Sequence, residues 1–142
     1  MRIKLSKKAA SNRRMVLALD AACRERVMAR DGCCQRCGAT VSSDGSPLQW
    51  SHVHSRRHHC LRWDDDNSKI LCKSCHFWWT NNPGLAFDWF SKKFPERWER
   101  ITRVLQANPK VRVKYLYEEL TTPPGKAQYM SIPKDEDLPF AP

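Results

Sequence analysis

Leu71-Cys72-Lys73-Ser74-Cys75-His76 decides the fold of this chain, because it repeats the spacing of Cys34-Gln35-Arg36-Cys37 upstream. Each Cys-x2-Cys turn presents two thiolates from one tight bend, and zinc takes four soft donors in a tetrahedron. The two turns are separated by 34 residues, and one structural zinc ion on Cys34, Cys37, Cys72 and Cys75 would tie their ends together. Cys33 offers a second spacing, Cys33-x3-Cys37, which suits the shell less well. Cys60 reads as a spare thiol or a packing residue. Redox chemistry is the weaker reading of both turns, since no thioredoxin-like alternation of strands and helices surrounds them.

The residues between the turns explain why a staple is needed. From Cys33 to Asn67 aliphatic residues are sparse, and Gly, Ser, Asp, Arg and His fill the space. A segment of that composition buries too little apolar surface to order itself. The chain as a whole has 142 residues and 41% hydrophobic content, the size of one ordinary domain. Its net charge of +10, from 25 basic and 15 acidic residues, suggests a polyanionic partner. There is no apolar run of membrane-spanning length and no secretory signal at the N-terminus. A reducing, cytoplasmic setting is the expectation, where seven cysteines favour metal over disulfides.

Working outward, residues 1–18 read as a basic flexible arm, carrying Arg2, Lys4, Lys7, Lys8, Arg13 and Arg14 without an acid. Leu19, Cys23 and Val27 recur at helical spacing up to the stop at Asp31-Gly32. Leu48 to Val53 and Ser68 to Leu71 read as short strands, with a polar loop from Ser55 to Asn67 between them. A helix should begin at the second cysteine pair. Asn82-Pro83, Pro95 and Asn108-Pro109 each read as the start of a further helix. Residues 121–142 form a Pro-rich tail that holds five of the nine prolines. The fold class expected is α+β, a zinc-stapled pair of strands and a helix with flanking helices, spanning residues 19–120.

Chemistry-bearing residues cluster inside the cysteine frame: Trp50-Ser51-His52-Val53-His54, Arg56-Arg57-His58-His59, Asp64-Asp65-Asp66-Asn67 and His76. Phosphodiester hydrolysis needs a base to activate water and a positive centre for the oxyanion. Imidazole suits the base near neutral pH. An Asn side chain can brace a loop or offer a neutral oxygen to a metal. The bland alternatives are a hydrogen-bonded His52 on a strand, solvent-facing His54, His58 and His59, and a capped turn at Asp64 to Asp66.

The order Cys-x2-Cys, Ser51-His52, Asp66-Asn67, Leu71-Cys-x2-Cys-His76 resembles the HNH family of nucleases, built from two strands and a helix around a metal (a treble-clef-like ββα-metal core). From His52 to Trp79 it is most similar to the phage NinG (Rap) group of recombination nucleases, matching at Ser51-His52, Arg62-Trp63, Asn67 and Cys72-Lys-Ser-Cys75-His76. The resemblance covers about half the chain, from Leu19 to Lys93. It implies catalytic roles for His52, Asn67 and His76. His52 would be the general base, Asn67 would hold the loop or touch a metal, and His76 would bind a catalytic magnesium or manganese ion. Ser51 departs from the family, which often places an Asp or His ligand there. The ion's shell would then turn to His54, or to His58, His59, Asp65 or water.

The expected partner is DNA, with branched or junction DNA suggested by the resemblance alone. A homodimer would suit junction cleavage. Arg56, Arg57, Arg62 and Lys73 would position phosphates, and Trp63, Trp78 or Trp79 would stack on exposed bases. The competing reading is a zinc-binding nucleic-acid module without catalysis.

Overall fold

The computed structural model describes residues 7–122. The chain is α+β and mostly helical, with one two-stranded antiparallel sheet among the described residues. Helix α1 runs from Lys7 to Asp31 and buries Leu19, Cys23 and Val27, one residue per turn on one face. It ends where Gly32 takes φ +67°, which a side chain would resist, and where the Gly32 N–H bonds the Met28 carbonyl.

The helix starts at Lys7, so the arm expected to be flexible through residue 18 is helical from there on. Residues 7–18 contain no Gly or Pro and are rich in Ala, Lys and Arg, all good helix formers. Residues 1–6 of that arm, and the Pro-rich tail from residue 123, lie outside the described residues.

Strands β1 (Gln49–His52) and β2 (Ser68–Leu71) pair with Ser51 opposite Lys69 and His52 opposite Ser68. Every residue of β2 is buried. The connection between the strands is not a bare loop. It holds a short helix α2 (His59–Arg62) and a 3-10 turn at Asp65–Asn67. Tertiary pairing supplies what its poor helix propensity lacks. Arg26 and Arg30 of α1 reach Asp65, and Arg97 and Arg100 reach Asp66 and Asp64 from the opposite side.

Helices α3 (Lys73–Asn81), α4 (Pro83–Lys93) and α5 (Pro95–Ala107) come next without long loops, and Pro83 and Pro95 open α4 and α5 as expected. Asn108-Pro109 behaves differently from the expected helix start. Asn108 adopts φ 43°, ψ 56° and closes α5 instead, and α6 begins at Val113 and ends at Thr121. Asn is among the few residues that tolerate the left-handed region, so it serves as a C-cap here.

The core joins Ile70, Leu71, Leu61, Phe90, Ile101 and Val104 with the cysteine frame. Trp79, Phe87, Trp89, Phe90, Phe94 and Trp98 pack edge to face or tilted at 5.1–6.3 Å between centroids. Among the described residues no helix is long and apolar enough to cross a membrane.

Candidate metal centre and adjacent cleft

Sγ atoms of Cys34, Cys37, Cys72 and Cys75 all lie within 4.8 Å of one another. Cys37 and Cys72 approach to 3.7 Å, close to the edge of a tetrahedron of zinc-bound sulfurs. The four thiols therefore form a group able to hold one zinc ion. Three are buried and Cys37 is exposed. Cys33 is not in the group; its thiol turns toward Gln35.

Local contacts favour thiolate at Cys34 and Cys72, whereas Cys37 is raised and burial pushes Cys75 up to about 12. Burial alone raises the Cys72 thiol, but the Ser74 hydroxyl and the Cys75 backbone N–H outweigh it and bring Cys72 down to about 6. Arg36 donates to the Cys75 sulfur at 3.6 Å and lies 3.8 Å over the Trp78 ring. The remaining cysteines are engaged elsewhere. Cys23 points at Asp65, where burial first and then that carboxylate raise it to about 12, and Cys60 points at Asn108.

The frame holds a cleft of about 590 Å³ beside the sheet, lined among others by Trp50, Ser51, His52, Arg56, His76 and Thr80. His52 ends β1, and its Nε2 lies 2.9 Å from the Arg62 carbonyl oxygen. A carbonyl only accepts, so Nε2 carries the proton and Nδ1 keeps its lone pair. Burial, the largest cause, lowers the His52 pKa below 6.5, so the ring is neutral at neutral pH.

His76, on the first turns of α3, sits with Nδ1 2.6 Å from the Gln49 side-chain oxygen. By the same logic Nδ1 donates and Nε2 is left with its lone pair, oriented as an outer-shell partner orients a ligating histidine. Burial lowers its pKa too, followed by the charge of Lys69.

Asn67 is fully buried and braces the connection between the strands. Its Oδ1 accepts from the His54 N–H, and its Nδ2 donates to the carbonyls of His54 and Leu61, all at 2.9–3.0 Å. Of the two roles expected for it, holding the loop is realised and touching a metal is not, because both ends of the amide are spent. Asn67→Ala should cost about 2–3 kcal/mol, because the His54 N–H and carbonyl lose their partner while the Leu61 carbonyl keeps the Trp63 and Asp64 N–H groups. Urea unfolding checks this; a loss under about 0.5 kcal/mol would refute the bracing role.

His54 is corrected likewise. Its ring packs between Phe87 and Trp98, at 5.6 and 5.7 Å between centroids, and its Nε2 is buried without a partner. A residue seated among aromatics and bearing an unpaired nitrogen is a packing residue. His54→Phe should keep or raise stability, by up to about 1 kcal/mol, and leave any nuclease activity intact. A large loss of activity in that variant would return His54 to the site.

Arg62 and Trp63, expected to face nucleic acid, turn inward. Arg62 pairs with Asp20 at 2.7 Å and the Trp63 indole N–H donates to the same carboxylate at 2.8 Å, joining α1 to α2. Trp79 is buried as well, and Trp78 is half-buried under Arg36. Arg56 and Arg57 remain exposed, and Arg56 lines the cleft. Lys73 is exposed and holds Asp44 at 2.7 Å.

The catalytic magnesium or manganese expected next to His76 does not fit these residues. Hard divalent cations take oxygen donors, usually a carboxylate, and among the described residues no carboxylate lines the cleft. Asp64, Asp65 and Asp66 are drawn away by the arginines of α1 and α5. Among the described residues the four cysteines are the one group of three or more His, Cys, Asp or Glu side chains placed to hold a metal.

Two features of the cleft are hidden in the sequence. Gln49 orients His76, and Lys69 stands behind Ser51; a lysine in a four-residue strand reads as facing solvent, and nothing local marks it otherwise. Comparison with known proteins found no matching family model, and neither a curated protein nor a solved structure matches the chain.

Proposed function

We propose that this protein is a nucleic-acid phosphodiester hydrolase of the HNH type, in which a zinc-stapled, treble-clef-like ββα core holds a histidine base against DNA. The observation that carries this is the hydrogen bond from His52 Nε2 to the Arg62 carbonyl. It fixes the tautomer while burial keeps the ring neutral, so the other nitrogen is free to act as a base, in a cleft that also contains Arg56 and His76. In the proposed reaction Nδ1 takes a proton from water as its oxygen attacks phosphorus, the P–O bond to one sugar oxygen breaks, and that departing oxygen takes a proton from solvent, while Arg56 holds a non-bridging phosphate oxygen. Zinc on four thiolates has no open position and serves the fold.

Branched recombination intermediates are the substrate we favour, on the resemblance to NinG-type nucleases, and a homodimer would present two clefts to a junction. The test is cleavage of linear, single-stranded, flap and four-way-junction DNA with magnesium, with manganese and with neither. Cleavage of at least one form supports the hydrolase. A second reading, a zinc-binding nucleic-acid module without catalysis, is favoured by the lack of a carboxylate among the described residues of the cleft; DNA binding with no cleavage under any condition would establish it.

A further inference from the structure

Lys69 is the largest fully buried side chain among the described residues. Its amine lies 3.3 Å from the Ser51 hydroxyl oxygen, which accepts from it, and 3.2 Å over the Trp79 ring. Among the described residues no carboxylate pairs with it. Asp31, the one carboxylate that acts on it favourably at longer range, is committed to Arg30 and the Ile70 N–H. A buried ammonium without a counter-ion costs several kcal/mol, and one aromatic face offsets only part of that. Burial accordingly pulls the Lys69 pKa well below 10.5.

The geometry supplies a place for the missing anion. Ser51 lies opposite Lys69 in the strand register and is among the residues of the cleft wall, with only 2% of its surface exposed. With its oxygen accepting from Lys69, the Ser51 hydroxyl has its own proton left to donate. Arg56 lines the same cleft, and no acidic side chain of the described residues does.

We propose, building on the hydrolase reading, that Ser51 backed by Lys69 forms a phosphoryl-binding site on the cleft wall, with Arg56 as the second cationic contact. Ser51 donates to a non-bridging phosphate oxygen, and Lys69 supplies the positive charge one atom behind it. Lys69 is a positioning residue in this scheme, since it acts through the Ser51 hydroxyl. A protein ammonium thus occupies the side of the cleft where a carboxylate-held cation was expected.

The test is titration of the zinc-loaded full chain with inorganic phosphate, followed by amide and indole NMR shifts. Wild type should bind saturably, with shifts at Ser51 and the Trp79 indole. Lys69→Met and Ser51→Ala should each weaken binding by roughly tenfold or more, the value of a charge-supported hydrogen bond. Lys92→Met, which removes an exposed charge paired with Asp88 on α4, should bind as wild type does. Ser51→Ala keeps the buried lysine, so it decides the matter if Lys69→Met fails to fold. Unsaturable phosphate binding by wild type, or wild-type affinity in Ser51→Ala, overturns the site. The DNA assay separates this from the parent proposal. Phosphate binding lost in the variants without any DNA cleavage sinks the hydrolase alone; cleavage by wild type with phosphate affinity unmoved by Ser51→Ala sinks the phosphoryl site alone.

Discussion

Cys72→Ala is expected to abolish stoichiometric zinc binding and leave the segment between Cys33 and Leu71 without fixed structure. Cys72 precedes α3 and directly succeeds β2, so it ties the helix that carries His76 to the turn at Cys34. In small zinc domains the metal contributes about 10–16 kcal/mol at neutral pH, as much as the whole stability of an ordinary domain. Outside that segment the chain keeps a partial core in Ala86, Phe90, Ile101 and Val104. The helices α4 and α5 should therefore keep part of their structure while the strand connection melts. Wild type should carry one zinc per chain by elemental analysis. A chelator should lower its thermal midpoint sharply and broaden the amide spectrum of residues in the frame. One tightly bound zinc in Cys72→Ala would remove Cys72 from the ligand set.

His52→Ala is expected to reduce DNA cleavage by about 10²–10⁴-fold, the usual worth of a positioned general base, with zinc content and thermal midpoint little changed. His52 is half-buried at the end of β1, and its ring contacts Trp50 at 4.3 Å, so truncation leaves a local gap rather than a broken core. The pH profile gives an independent check. Only the neutral imidazole can take a proton, so the rate should rise with pH and level off. Burial lowers the His52 pKa, so the midpoint of that rise belongs below 6.5. A midpoint above 6.5, or equal cleavage by wild type and His52→Ala, would take His52 out of the mechanism.

Particular residues show how far the site is legible before folding. Cys34, Cys37, Cys72 and Cys75 are readable because ligand spacing within a turn is a local property. Positions of β2, Pro83 and Pro95 are readable for the same reason: strand runs and first-turn prolines act on the backbone where they stand. His52 and His76 are found by order and residue type, and both line one cleft.

Arg62 and Trp63 escape such a reading because their partner, Asp20, is more than forty residues away on a helix whose approach no local pattern announces. Composition reads an arginine beside a tryptophan as a nucleic-acid contact; a carboxylate brought against them makes it a structural joint. Asn108 departs from expectation for a smaller reason. Asn-Pro can open or close a helix, and the left-handed conformation that Asn108 takes decides for the close.

Spacing along a few residues was enough to specify the thiol frame, the α+β class with its small sheet, and the histidine that ends the first strand. Three other features exist only once the chain has folded: the nitrogen of His52 that is left with its lone pair, the hydrogen bonds by which Asn67 braces the strand connection, and the burial of Lys69 behind Ser51. Each turns on which carbonyl, hydroxyl or ring arrives from a distant element. In a low-dielectric interior a side chain's role is set by its partners, and the chain acquires those only on folding.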